Sequence, residues 1–117
     1  MTVEADIVTL LKTVVSKAYP DVAPIEAAPP YAVYQQVGGE SLTFLGREVP
    51  SKKNGRFQIS IWAATRLEAA AKALAIENAF LITTAMQATP LGSPVATYED
   101  GTKLYGTRQD FSVWSDR

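Results

Sequence analysis

The sequence predicts an α+β domain spanning residues 1–117, in which an antiparallel or mixed sheet of four to five strands carries two α-helices on one face. The first observation is the order of the patterns: a helix, two or three strands, a helix and two strands. The second is a strand pattern that leads directly into an alanine-rich helix at the centre of the chain. The third is a hydrophobic content of 47%, which is enough for one core.

The central strand and helix organise the prediction. Every second residue in 56–62 is large and apolar: Phe57, Ile59 and Ile61. Thr65 is followed three residues later by Glu68, which is typical of a capping box at the start of a helix. This helix must end before Pro90. We expect the other elements to pack against this unit.

The chain begins with a second predicted helix. Apolar residues recur at helical spacing through residues 3–18, Thr2 is placed to cap the helix, and Pro20 should close it. The segment 20–30 contains four prolines, so it is expected to be extended and cannot be a central strand.

The remaining segments predict strands and one loop. Residues 31–37 have high strand propensity, and residues 41–45 could form a short return strand of a hairpin. Residues 46–55 are predicted to be a polar loop. Toward the end, 95–99 and 103–114 are expected to form a hairpin around the Asp-Gly turn.

The residues that usually carry catalysis are missing. The sequence has no cysteine and no histidine, the usual nucleophile, general base and soft metal ligands. Glu4 and Asp6 are predicted in a first helical turn and Glu99 and Asp100 at a turn, where local structure explains them. We therefore predict neither enzymatic activity nor a cofactor. No apolar run is long enough for a membrane helix and no secretory signal is evident, so no membrane partner is expected.

The long helix carries two apolar stripes on opposite sides. One stripe, predicted to lie on the sheet, consists of Leu67, Ala71, Leu74, Asn78, Leu81, Ile82 and Ala85. The other consists of Ala69, Ala73, Ile76 and Phe80. The second stripe needs a cover, which either the first helix or another subunit could provide.

One basic cluster stands out, formed by Arg47, Lys52, Lys53 and Arg56. It is either a solvated loop or a docking patch for an acidic surface. No aromatic residues are interleaved with it, so we expect no recognition of a specific nucleic-acid sequence.

Three segments resemble one known family. Residues 30–39 (PYAVYQQVGG), 56–65 (RFQISIWAAT) and 110–114 (DFSVW) are similar to the strands of tail completion, or tail terminator, proteins of long-tailed bacteriophages and prophages. The resemblance implies a structural protein of the virion tail, assembled in the cytoplasm of the host bacterium. It would form a homo-oligomeric ring, commonly a hexamer, that caps the tail tube protein, stops its polymerisation and joins the head-connector protein.

The resemblance also suggests where contacts lie. A ring requires an interface between subunits, which favours Ala73, Ile76 and Phe80 as partly intersubunit. The loop with Arg47, Lys52 and Lys53 would face the tail tube or its lumen.

Two other functions stay open. The first is a small non-catalytic adaptor that binds a partner through its exposed sheet face: Gln58, Ser60, Trp62, Arg108, Ser112 and Trp114. The second is a hydrolase that uses a pair of carboxylates.

Overall fold

The computed structural model describes residues 2–117, which form two helices and six strands in one mixed sheet. The elements in chain order are α1 (Val3–Leu11), β1 (Ala18–Pro20), β2 (Tyr31–Gly38), β3 (Lys52–Ala63), α2 (Arg66–Ile82), β4 (Gln87–Pro90), β5 (Val95–Glu99) and β6 (Leu104–Asp116). The α+β prediction is confirmed, with a slightly higher strand count because the short edge strands β1 and β4 were not expected.

The centre of the sheet is the antiparallel pair β3–β6, whose register runs from Lys52 opposite Asp116 to Ala63 opposite Tyr105. Strand β2 pairs antiparallel with the other edge of β3, and β1 lies parallel beside β2. Strands β4 and β5 both pair with β6, at its end and its start respectively. The spatial order of the strands across the sheet is therefore β1-β2-β3-β6, and β4 and β5 both pair with the outer edge of β6.

The core lies between one face of the sheet and the helices. The predicted inward residues of β3 are buried, and β6 adds Phe111 and Val113. Helix α1 contributes Ile7 and Leu11, and α2 contributes Ile76 and Phe80. The alternation read from the sequence thus placed the sheet's inner face correctly.

The orientation of α2 is the opposite of the predicted one. Thr65 caps the helix as expected, accepting a hydrogen bond from the Glu68 amide at 3.2 Å. However, the buried residues are Ala69, Ala73, Ile76 and Phe80, which are at most 5% exposed. Phe80 stacks on Phe111 of β6 and lies in the core together with Ile76, so the aromatic pair holds this side of the helix against the sheet. The prediction that Ala73, Ile76 and Phe80 form a subunit interface is therefore wrong.

Helix α1 is shorter than predicted, since it ends at Leu11 rather than near residue 18. The Thr13 hydroxyl donates to the Leu10 carbonyl at 2.6 Å, and residues 12–15 form tight turns directly after the helix. It then enters β1, so Pro20 ends an edge strand and not the helix. The cap by Thr2 is present, with its side chain accepting from the Ala5 amide.

The predicted hairpin with a return strand at 41–45 is wrong. Strand β2 pairs with β3 directly, and residues 39–51 connect them without a strand. Gly39 is needed where this connection begins, because its φ is 139° and a Cβ there would lie 2.6 Å from the Asn54 carbonyl oxygen. Lys52 and Lys53, expected in a loop, are the first residues of β3.

The protomer is elongated, measuring 52 × 26 × 25 Å. One end carries the 39–51 connection and the carboxyl terminus of β6. The opposite end carries residues 21–30 and the β5–β6 turn. Among residues 2–117, neither helix is long and apolar enough to cross a membrane.

Candidate interaction surfaces

The first surface is the solvent side of α2, which we call the outer row. It is formed by the exposed residues of this helix: Leu67, Ala70, Ala71, Leu74, Asn78, Leu81 and Ile82. Leu67 and Ile82 are 84% and 80% exposed, and Leu74 and Leu81 are more than half exposed. Each large side chain would gain up to about 1.5–3 kcal/mol from full burial. An exposed row of mostly apolar side chains is typical of a protein contact site.

Three of the four charged residues of α2 point away from the outer row, because they bind inside the protomer. Arg66 donates to the carbonyls of Gly106 at 2.7 Å and Thr97 at 2.5 Å. Lys72 donates to the Val14 carbonyl after α1, and Glu77 accepts from Gln109 of β6 at 2.6 Å. The outer row is thereby left without a charge.

The second surface is the connection 39–51, which we call the arm. Its tip is a turn in which the Arg47 amide donates to the Phe44 carbonyl at 3.0 Å. Leu45 is fully exposed and Phe44 is half exposed, while Pro50 is buried at the base. The arm therefore presents apolar side chains at its tip and is anchored at its root.

The predicted basic cluster is not gathered into one free patch. Arg47 lies at the tip of the arm, whereas Lys52 and Lys53 lie in β3. Lys52 forms an ion pair with Asp116, and its hydrogen bond and charge lower the pKa of that carboxyl. Arg56 pairs with Asp110 at 2.8 Å. Much of the positive charge is thus matched by neighbouring carboxylates.

The third surface is a groove of about 700 Å³ on the outer face of the sheet, at the end opposite the arm. Residues 21–30 form one wall and the β5–β6 turn forms the other. Val33 and Trp62 contribute to its floor, and Asp21 and Glu99 supply carboxylates. The pKa of Tyr31, also in the lining, is raised first by burial and then by the negative charge of Glu99.

Sequence reasoning missed this groove. Its signals were the alternate outward residues of β2 and the proline-rich segment, which was predicted only to be extended. The sequence did not predict that this segment lies beside the turn at residues 100–103, because the two are far apart in sequence.

The sheet face proposed for an adaptor is divided. Its predicted residues occupy two places: Gln58, Ser60 and Trp62 line the groove, while Ser112 and Trp114 lie near the arm. The Arg56–Asp110 ion pair lies between these sets, and Arg108 is exposed on β6. Within the described part of the chain, no three acidic, histidine or cysteine side chains are grouped to hold a metal ion.

An apolar helix face, an apolar arm and a shaped groove are features of a protein that works by contacting other proteins. Comparison with known families gives the particular class. Residues 3–116 match the model of the family described as Tail completion protein gp17, and the chain belongs to that family. It is a structural component of the phage tail, as its sequence resemblance implied. No curated protein matches the sequence.

Proposed function

We propose that the protein forms a ring that caps the tail tube, stops its polymerisation and provides the surface to which the head connector joins. Membership of the tail completion family supports a role at this place in the tail. The observation that carries assembly is the outer row of α2, which is apolar, uncharged and exposed. A protein that works alone would rarely keep such a row in water.

In this proposal, neighbouring copies contact one another through the outer row. A ring needs an interface that joins two different surfaces of the same protomer and closes after a fixed number of copies. Six copies is the expected number. The outer row replaces the buried set Ala73, Ile76 and Phe80 as the side of α2 that meets a neighbour.

A charge substitution tests the ring. Leu74→Glu should reduce the mass measured by light scattering to that of a monomer, because a carboxylate would be buried at the contact. Thermal unfolding of the monomer should be unchanged, since Leu74 lies outside the core. Gln87→Glu, at an exposed position on β4, is the matched control and should form rings like the parent protein. Rings of normal mass from Leu74→Glu would contradict the proposal.

We propose further that Arg47, Lys52 and Lys53 face the tail tube or its lumen. Lys53 is exposed at the root of the arm and takes part in none of the salt bridges found within residues 2–117. The acidic partner would be on the tube.

The test replaces residues 41–48 with a short Gly-Ser turn. Pro50 is kept because it is buried, and Lys52 onward is kept because β3 begins there. A second variant, Lys53→Glu, changes the charge at the root without shortening the arm. Both variants should remain folded but leave tails of abnormal length, seen by electron microscopy. Normal, infectious tails from both would refute the tube contact.

A further inference from the structure

We propose that the tip of the arm of one copy docks into the groove of a second copy, so that protomers join head to tail. The tip is residues 44–47, and the groove lies between residues 21–30 and the β5–β6 turn. This inference rests on the proposed ring only in that the neighbour is another copy of the chain. It names both sides of a contact between copies that is separate from the one proposed for the outer row.

The tip has the chemistry of an inserted element. Leu45 is completely exposed, and Phe44 beside it is half exposed. Both would lose contact with water in a concave site. Arg47 closes the turn and takes part in none of the salt bridges that residues 2–117 form with one another. The tip therefore offers two apolar side chains with one cation directly beside them.

The groove has the complementary chemistry. Val33, Pro24 and Trp62 provide apolar lining, and the volume of about 700 Å³ is ample for two large side chains. Asp21 and Glu99 are the charged residues of its described lining, which includes neither lysine nor arginine. An apolar floor with carboxylates at its walls suits an apolar tip followed by an arginine.

The arm of a copy does not fill the groove of the same copy in this structure. The arm enters β3 at Lys52, whereas the groove lies over the second half of β3, from Gln58 to Trp62. The strand from Lys52 to Gln58 spans about 20 Å, in a protomer 52 Å long. Leu45 is exposed and does not fold back on the sheet. The tip and the groove of one copy therefore stay apart in this structure, and the proposed contact joins the tip of one copy to the groove of another.

The contact joins two different surfaces at opposite ends of the protomer, so it is heterologous. Such a contact repeats from copy to copy and produces either an open chain or a closed ring. It leaves Lys52 and Lys53, at the root of the arm, facing the tube as proposed above. For Arg47 it replaces the tube contact with the groove of the neighbouring copy.

The natural chain has no cysteine, which makes cross-linking a direct test. One chain carries Glu48→Cys, exposed directly after the tip, and another carries Ser60→Cys on the floor of the groove. Mixed and treated with a short bismaleimide, the two should give a covalent heterodimer. A chain with Gln87→Cys, exposed near the arm end, replaces the groove chain as the control. A heterodimer yield no higher than in this control would overturn the proposal.

A charge exchange tests the same contact without relying on cross-linker reach. Glu99→Lys in the groove chain should lower the yield of heterodimer about two- to fivefold, the size expected for an exposed ion pair. Arg47→Glu in the arm chain should then restore it. Loss with either single substitution and recovery with both would support the contact, and no recovery would count against it.

The outcomes separate this contact from the ring itself. Specific cross-linking without rings in the electron microscope would support the docking and refute the ring. Rings that form with no specific cross-link would support the ring and refute the docking.

Discussion

The rings of Phe80 and Phe111 are stacked, with centroids 4.4 Å apart and planes inclined by 20°. Phe80 comes from α2 and Phe111 from β6, so this pair fixes which side of the helix meets the sheet. Both side chains are at most 1% exposed. With Phe80 directed inward, the leucines on the opposite side of α2 necessarily face solvent.

The first prediction concerns the two sides of α2. Phe80→Ala should lower the free energy of unfolding by about 3–5 kcal/mol, because it removes a buried aromatic side chain and leaves a cavity. Leu74→Ala should change the unfolding of the monomer by less than about 1 kcal/mol, since Leu74 is 57% exposed. Urea unfolding followed by circular dichroism measures both. Equal losses would mean that α2 is packed differently.

The second prediction concerns Arg66, which holds the start of α2 to the β5–β6 hairpin. Its guanidinium donates to two carbonyls and lies 5.4 Å from the centre of the Tyr105 ring. Arg66→Ala should cost about 2–3 kcal/mol, because both charge-assisted hydrogen bonds are lost. Arg66→Lys should recover only part of the lost free energy of unfolding, since an ammonium lacks the planar set of donors of the guanidinium.

Arg108→Ala is the matched control for Arg66, because Arg108 is an exposed arginine of β6. We expect Arg108→Ala to change the free energy of unfolding by less than about 0.5 kcal/mol. Hydrogen exchange should also become faster in β5 for Arg66→Ala alone. Unchanged exchange there, with a small loss of stability, would show that Arg66 does not hold the hairpin.

The third prediction concerns the pKa of Asp116. The hydrogen bond from Lys52, and then its charge, lower this pKa from its ordinary value. Since the folded pKa is the lower one, the carboxylate stabilises the fold above its unfolded pKa, and this contribution is lost as pH falls through the folded pKa. Both side chains are exposed, so the effect on stability should be small.

Lys52→Met tests that assignment, because it keeps the length of the side chain and removes its charge. The pKa of Asp116, followed by NMR of its carboxyl carbon, should return toward the ordinary value. Arg56→Met, which removes a cation that pairs with Asp110 instead, is the control and should leave the pKa of Asp116 as low as in the parent protein. An unchanged pKa of Asp116 would contradict the pairing.

Local patterns predicted most of the fold. The period of two in 56–62 correctly identified the inner face of β3, and the cap at Thr65 correctly located the start of α2. Both patterns depend only on residues that are close in sequence, so they do not change with the way in which distant segments pack. The extension of β3 back to Lys52 was not predicted. It depends on pairing with a distant strand, because Lys52 lies opposite Asp116 of β6.

The interaction surfaces could be predicted only in part. Two apolar stripes on α2 were visible, but the sequence alone could not decide which of them meets the sheet. That choice depends on the stacking with Phe111, which lies 31 residues after Phe80. The groove depends likewise on two distant segments meeting over β3. The arm was predicted from its polarity, although its exposed tip is apolar.

The last prediction concerns Gly106, which lies under the Trp62 side chain in the sheet. A Cβ at this position would be 2.7 Å from two carbons of the Trp62 ring and 2.7 Å from the Thr97 hydroxyl oxygen. Gly106→Ala should therefore lower the free energy of unfolding by about 1–3 kcal/mol and displace the indole from the groove floor. Trp62 fluorescence should change at the same time.

Gly101→Ala is the control, because a Cβ at this position would meet nothing within 4 Å. Its free energy of unfolding should stay within about 0.5 kcal/mol of that of the parent protein. Combining Gly106→Ala with Trp62→Ala should cost less than the sum of the two single changes, since removing the indole also removes the clash. Urea unfolding of the four proteins measures this coupling. Strict additivity would mean that Trp62 does not rest on Gly106, and that the floor of the groove is held in place by other contacts.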